Sequence, residues 1–177
     1  SDNVDANITV FSLEAEPSHR LIEFCENNKV PMVCLLMMGL RTYLQKFNYQ
    51  DDVSIMSTVA RRATISEKKS GGTRVHCFPC RTIVNKEETF MEGIEKIREA
   101  QNNLFRHANY NPVEYLNYRT SFYNNEPGQT YEPLSLTYQP LTMKDVKQRT
   151  GQTIDFSGID YKTNWYSNGA CAHTLYL

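Results

Sequence analysis

The residues with the most evident chemistry are Cys77 and Cys80, three apart in "TRVHCFPCRTIV" (residues 73–84), with His76 beside them. Such a pair can be a redox centre or half of a metal site. A redox pair needs its first thiol at a helix N-terminus, where the dipole lowers the thiol pKa. Here Cys80 runs into Arg81-Thr82-Ile83-Val84, a β-type sequence, and the next helix is expected only near residue 86. For a metal site, Cys77 and Cys80 could combine with Cys171 and His173 into a Cys/His set suited to zinc. On a strand, residues 171 and 173 share a face, but 77 and 80 do not, because side chains alternate with period two. A knuckle turn around Phe78-Pro79 would be needed, and the β-branched flanks oppose it. The strand reading is preferred, and no metal ligand is assigned.

Other catalytic patterns are weaker. The four histidines, His19, His76, His107 and His173, are isolated from one another, and no Ser or Cys stands in a G-x-S-x-G elbow. The carboxylate pairs Glu14/Glu16 and Glu87/Glu88 fall at expected helix starts, where capping and the helix dipole account for them. Gly71-Gly72 is followed by a β-rich segment, whereas a phosphate-binding loop needs a helix straight after its glycines. Ser66 to Gly72 reads as a mobile surface loop. No catalytic residue is assigned.

The elements that would position these residues follow from periodicity. Ile8 to Phe11 alternates like a short strand. Glu14 to Asn28 reads as a helix with Pro17 in its first turn. Pro31 opens a second, with apolar residues at Val33, Leu36, Met37, Leu40, Leu44 and Phe47, a wide buried stripe. Val53 to Val59 and the segment around Cys77 read as strands. Asn85 and Glu88 form a capping box for a helix over 86–106, with Phe90, Ile94, Ile97, Gln101 or Leu104, and Phe105 facing inward and Glu92 paired to Lys96 outside. A short helix over Val113 to Tyr118 follows. Strands are expected over 134–141, 153–156, 160–165 and 170–177, with turns at 124–128 and a hairpin at 167–169.

Composition sets the outer limits. A chain of 177 residues fits one domain with a real core. The net charge is −1 with no basic run, so no nucleic-acid partner is implied. The most apolar stretch, Val30 to Leu44, is interrupted by Gly39, Arg41 and Thr42 and is too short for a bilayer, so no membrane partner is implied. Five cysteines are an odd count at low density, which favours a reducing, cytoplasmic setting. The start at Ser1 and the end at Leu177 inside a strand-like run make a piece of a longer protein the expectation.

Five segments, in order, resemble condensation domains of nonribosomal peptide synthetases. Gly72 to Arg81 resembles the Gly-x-Phe-Val-Asn-Thr-x-Pro-x-Arg strand, with His76 at the usual Asn and Cys77 at the usual Thr. Val53 to Arg62 is similar to the strand ending in Gly-Arg or Asn-Arg, with Met56 where Gly is usual. The Pro31–Phe47 helix leading into Asp51-Asp52-Val53 resembles the lead into Gln-Asp-Asp-Val. His107 to Glu114 is similar to His-Gln-Asp-x-Pro-Phe-Glu with one extra residue, and Leu134 to Gln139 to a strand ending in Tyr-Gln.

The resemblance implies an α/β two-layer sandwich, with a mixed, mostly antiparallel sheet and helices 17–28, 31–48 and 86–106 on one face. This is one chloramphenicol-acetyltransferase-like half. Residues 1–177 would be a single domain, the C-terminal subdomain, with 1–11 as a linker or edge strand. It would form one wall of the channel where carrier-bound acyl and aminoacyl thioesters are joined into an amide. The family's His-His-x-x-x-Asp-Gly is absent, so the chain alone is expected to be inactive. The implied partners are the missing N-terminal subdomain and carrier domains bearing 4'-phosphopantetheine, with no cofactor bound directly. Arg62 and Arg81 would anchor strand ends. His76 is the substrate-channel candidate, against the more ordinary reading of a half-buried His bonded to backbone. Two alternatives stay open: a self-sufficient CoA- or carrier-dependent acyltransferase with an intersubunit site, and a non-catalytic zinc or interaction module.

Overall fold

The computed structural model describes residues 5–62, 64–124, 134–139, 169 and 175–177. They fall in two units. The larger spans Ser12–Thr137 and His173–Leu177, the smaller Ser1–Phe11 and Tyr138–Ala172. In the smaller, the Ala6 N–H donates to the Gly169 carbonyl at 2.8 Å. Residues 8–11 form no strand, and Phe11 is 88% exposed, so the alternating run there is an overread. Four residues of alternation without a partner ladder do not hold a strand.

The larger unit opens with helix α1 (Ala15–Asn28), which stops at Lys29 in a left-handed conformation. Helix α2 (Met32–Asn48) begins after Pro31 and buries Cys34, Met37, Met38 and Arg41, a 3–4 residue spacing that marks one face. The expected stripe is thus rotated: Phe47, at its far end, is exposed, and a charged residue takes a core position. Strand β1 (Asp52–Ala60) buries Val53, Ile55, Ser57 and Val59 in strict alternation. Strand β2 (Val75–Ile83) pairs with it antiparallel over nine residues, from Asp52↔Ile83 to Ala60↔Val75. Pro79 has no N–H for a ladder and sits on β2, an edge of the sheet among the described residues.

Between the strands lies a helix that was expected to be loop. Helix α3 (Ile65–Lys69) is capped by Thr64, whose hydroxyl accepts the Glu67 N–H at 3.2 Å while Glu67 accepts the Thr64 N–H at 2.9 Å. The Thr-x-x-Glu signal was present, but glycines and lysines after it masked the short helix. Helix α4 (Phe90–Arg106) starts later than expected, capped by Thr89 with Glu92 rather than by Asn85 with Glu88. Glu88 instead accepts from the Asn85 N–H and from Lys96, both at 2.7 Å, which also removes Lys96 from Glu92. Helix α5 (Pro112–Tyr123) is twice as long as expected, because its sequence carries no apolar stripe to extend the signal. Strand β3 (Leu134–Leu136) runs parallel to β1, and β4 (Leu175–Tyr176) parallel to β3, giving the order β2-β1-β3-β4. The sheet is therefore mixed, with most of its pairing antiparallel. The strands expected over 153–156 and 160–165, residues 125–128 of the expected turn, 167–168 of the hairpin and all of 170–174 lie outside the described residues.

The core forms where α2 and α4 cover one sheet face. Met37, Met38, Ile55, Cys80, Ile94, Ile97 and Leu136 meet there, each such side chain worth roughly 1.5–3 kcal/mol of burial. Phe90 and Phe105, expected inside, are largely exposed at the two ends of α4. A smaller cluster of Val59, Phe78 and Ala108 packs beneath the turn after α4. No described helix is long and apolar enough to cross a membrane.

Candidate functional site

His76, Cys77, Cys80 and Arg81 lie on β2, and Arg62 lies just past the end of β1, so the two ends of the hairpin are closed differently. At the far end of β1, Arg62 donates to three backbone carbonyls, Glu67 at 2.8 Å, Ser70 at 2.5 Å and Gly72 at 2.7 Å. The Glu67 carbonyl also takes the Ser70 N–H at 3.3 Å and its hydroxyl at 2.8 Å, so one guanidinium gathers the end of α3 and the connection after it. At the other end, Arg81 grips the Asp52 carboxylate with Nε at 2.8 Å and Nη2 at 2.6 Å. That bidentate pair holds the Asp52 carboxyl below its usual range, chiefly through the Arg81 hydrogen bonds.

His76 lies at the start of β2, opposite Val59, on the same face as Phe78 and Cys80. Its Nε2 is 3.1 Å from Arg61 Nη1. A guanidinium only donates, so Nε2 accepts and the ring proton resides on Nδ1. Nδ1 is buried and has no hydrogen-bond partner. The backbone-bonded histidine of the ordinary reading is thus not what forms. Arg61 continues to Asn109 Oδ1 through Nε at 3.1 Å and Nη2 at 2.9 Å, tying β1, β2 and the turn before α5 into one cluster. His76 and Arg62 therefore share one end of the hairpin, and Arg81 stands about 17 Å of strand away.

Cys77 and Cys80 take opposite faces of β2: Cys77 is exposed and Cys80 buried. Two thiols directed to opposite sides of a strand cannot close on one ion or on each other. Burial pushes the Cys80 thiol up to about 11, and that of Cys34 likewise to about 11, so both are poor nucleophiles at neutral pH. Cys171 and His173, the remaining pair of the zinc reading, lie outside the described residues.

Three features went unread in the sequence. Arg41 is 1% exposed, donating to Gln45 Oε1 at 3.1 Å and the Asp51 carbonyl at 2.6 Å, with its pKa lowered by burial. One charged residue inside an apolar helical stripe was its only signal. On the sheet face away from α2 and α4, Thr58 Oγ1 lies 2.8 Å from Thr137 Oγ1, which lies 2.7 Å from the Tyr176 hydroxyl. This hydroxyl row crosses three strands that are far apart in sequence. Finally, Tyr115, Arg119 and Tyr123 of α5 line a cleft of about 470 Å³ with Asp52, Ser54, Pro79 and Arg81. The Arg119 guanidinium stands 5.7 Å from the Tyr115 ring centre, within cation–π range.

Solved structures share this fold. The first condensation domain of the calcium-dependent antibiotic synthetase, in complex with substrate analogue 2a, superposes with a TM-score of 0.59 at 18% identity, over 78% of this chain and 29% of that one. Holo T3CT superposes at 0.53 and 17% identity, over 64% and 26%. The fold is thus a chloramphenicol-acetyltransferase-like α/β half. The sequence matches the Condensation domain family over residues 1–167, and the chain belongs to that family. A plipastatin synthase polypeptide of Bacillus subtilis (strain 168) is 24% identical over 177 residues, 99% of this chain and 6% of that protein. Surfactin synthase subunit 1 of the same organism is 28% identical over 91 residues, 51% of this chain and 2% of that protein. The chain spans only a small part of these relatives.

Proposed function

We propose that residues 1–177 form a single subdomain, the C-terminal half of a cytoplasmic nonribosomal peptide synthetase condensation domain. Its sheet forms one wall of the channel in which a carrier-bound acceptor amine attacks a carrier-bound thioester. The C–N bond forms as the C–S bond breaks, and the thiol leaves on the donor's phosphopantetheine arm. The single observation that carries this reading is the family match over 1–167, combined with a sequence that has no two adjacent histidines. The imidazole that assists the attack then belongs to the N-terminal half, a partner of this chain together with the carrier domains. Arg62 and Arg81 anchor the hairpin that faces the channel, and His76, at its half-buried end, borders that channel.

The test is reconstitution. Residues 1–177 alone should give no amide from loaded carriers, and mixing with the separately expressed N-terminal half should restore turnover. In the mixture, His76→Ala should lower turnover several-fold and His19→Ala should leave it unchanged. Turnover by the isolated chain would overturn the half-domain reading, and an unaffected His76→Ala variant would remove that residue from the channel.

A further inference from the structure

A second cavity, of about 580 Å³, lies between the C-terminal end of α2 and the segment joining β2 to α4. Its size falls in the range of small-molecule sites. Met38 and Val84, both buried, supply apolar wall, and Phe90 presents a half-exposed ring to it. Tyr49 stands beside them, 92% exposed, with φ of 56°. A left-handed helix end favours glycine, and a tyrosine there keeps a large ring at the cavity mouth at the cost of backbone strain.

The polar groups of the wall are unequally committed. Asp51 Oδ1 accepts from Gln45 Nε2 at 2.6 Å, and Glu88 accepts from the Asn85 N–H and Lys96. Thr42 spends its proton on the Met38 carbonyl at 2.7 Å. Lys46 and Lys86 also line the cavity, and neither has a carboxylate partner among the described residues. Arg41, buried behind Asp51, adds to the positive balance. The two acids are held by their own donors while two ammonium groups stay uncommitted around an apolar, partly aromatic hollow.

We propose that this cavity binds a small amphipathic anion, an alkyl or aryl body with a carboxylate head, the body against Met38, Val84 and Phe90 and the head between Lys46 and Lys86. This site is separate from the hairpin cluster and does not depend on the channel reading. A cation of the same body is selected against, because the cationic groups Lys46, Lys86, Arg41 and Lys96 outnumber the carboxylates Asp51 and Glu88 around the cavity.

Sodium octanoate is the probe, titrated into ¹⁵N-labelled protein at constant ionic strength, with octylammonium chloride as the opposite-charge control. The expected result is saturable shifts of the Met38, Tyr49, Val84 and Lys86 amides, with octylammonium binding at least about tenfold more weakly. The exposed-lysine double variant Lys46→Ala/Lys86→Ala, which leaves the core untouched, should weaken octanoate by about tenfold or more. Equal binding of the two probes, unchanged affinity in the double variant, or shifts that do not saturate or that centre elsewhere would each overturn the proposal.

Discussion

Gly93 faces α2 so closely that a Cβ built there would lie 2.6 Å from Met38 Cε and 3.0 Å from its Sδ. Ordinary carbon contacts are about 3.5–4 Å, so the Met38 end must retreat by nearly an ångström before alanine fits. Two effects oppose each other in Gly93→Ala. Helix propensity favours alanine by about 1 kcal/mol in the interior of α4. Overpacking a buried side chain costs about 1–3 kcal/mol, and Met38, although it lines the cavity beside α2, is only 5% exposed. The expected net is a loss of about 1 kcal/mol, a fall of roughly half a molar in urea midpoint. Met38→Ala alone should cost about 2–5 kcal/mol through the cavity it leaves. On that background the clash is gone, so Gly93→Ala should reverse sign and stabilise by about 1 kcal/mol. Urea unfolding of the four proteins, followed by circular dichroism, measures the cycle. If Gly93→Ala stabilises the native sequence as much as the Met38→Ala variant, the two helices are not held apart by this contact, and the packing argument fails.

Other expectations follow from the same geometry. Because Arg81 depresses the Asp52 carboxyl, the pair's contribution is present above the unfolded value near 3.8 and is lost as pH falls through the lower folded value. The pair is half-exposed, so Asp52→Asn should cost less than about 1 kcal/mol at pH 7, a difference that closes in acid melts as pH falls through the lowered folded value. A gap that widens in acid would show the sign to be wrong. Thr89→Ala should cost about 1 kcal/mol and Asn85→Ala almost nothing, since the cap of α4 lies at 89; equal losses by thermal melting would restore the earlier start. Of the four described thiols, Cys77 should be alkylated first in a timed mass-spectrometric map, and Cys34 and Cys80 last, with only about one in ten thousand ionised at pH 7. Early labelling of Cys80 would contradict its placement.

Local order was legible wherever a single element decides it. Alternation in Val53–Val59 and around Phe78–Cys80 gave two strands, and the direction of the two sulfurs followed from period two alone. The spacing in α2 gave a helix, but not which side of it would meet the sheet. Helix α5 shows the opposite case: with Arg119 buried and Tyr115 half-buried on its inward side, it lacks the apolar pattern that sequence reading relies on. Choosing Thr89 over Asn85 as a cap needed Lys96, which takes Glu88 and the Ile83 carbonyl at 2.9 Å.

By itself the sequence determined the two long strands, the family to which its motifs belong, and the lack of a paired-histidine catalytic group. Only the tertiary structure decided that Arg61 joins His76 to Asn109, that Arg41 enters the core, and that Thr58, Thr137 and Tyr176 form one hydroxyl row. The physical reason is range. Periodicity and capping act within a few residues, whereas these contacts join groups from 10 to 79 positions apart, whose desolvation is compensated only when separate elements pack together.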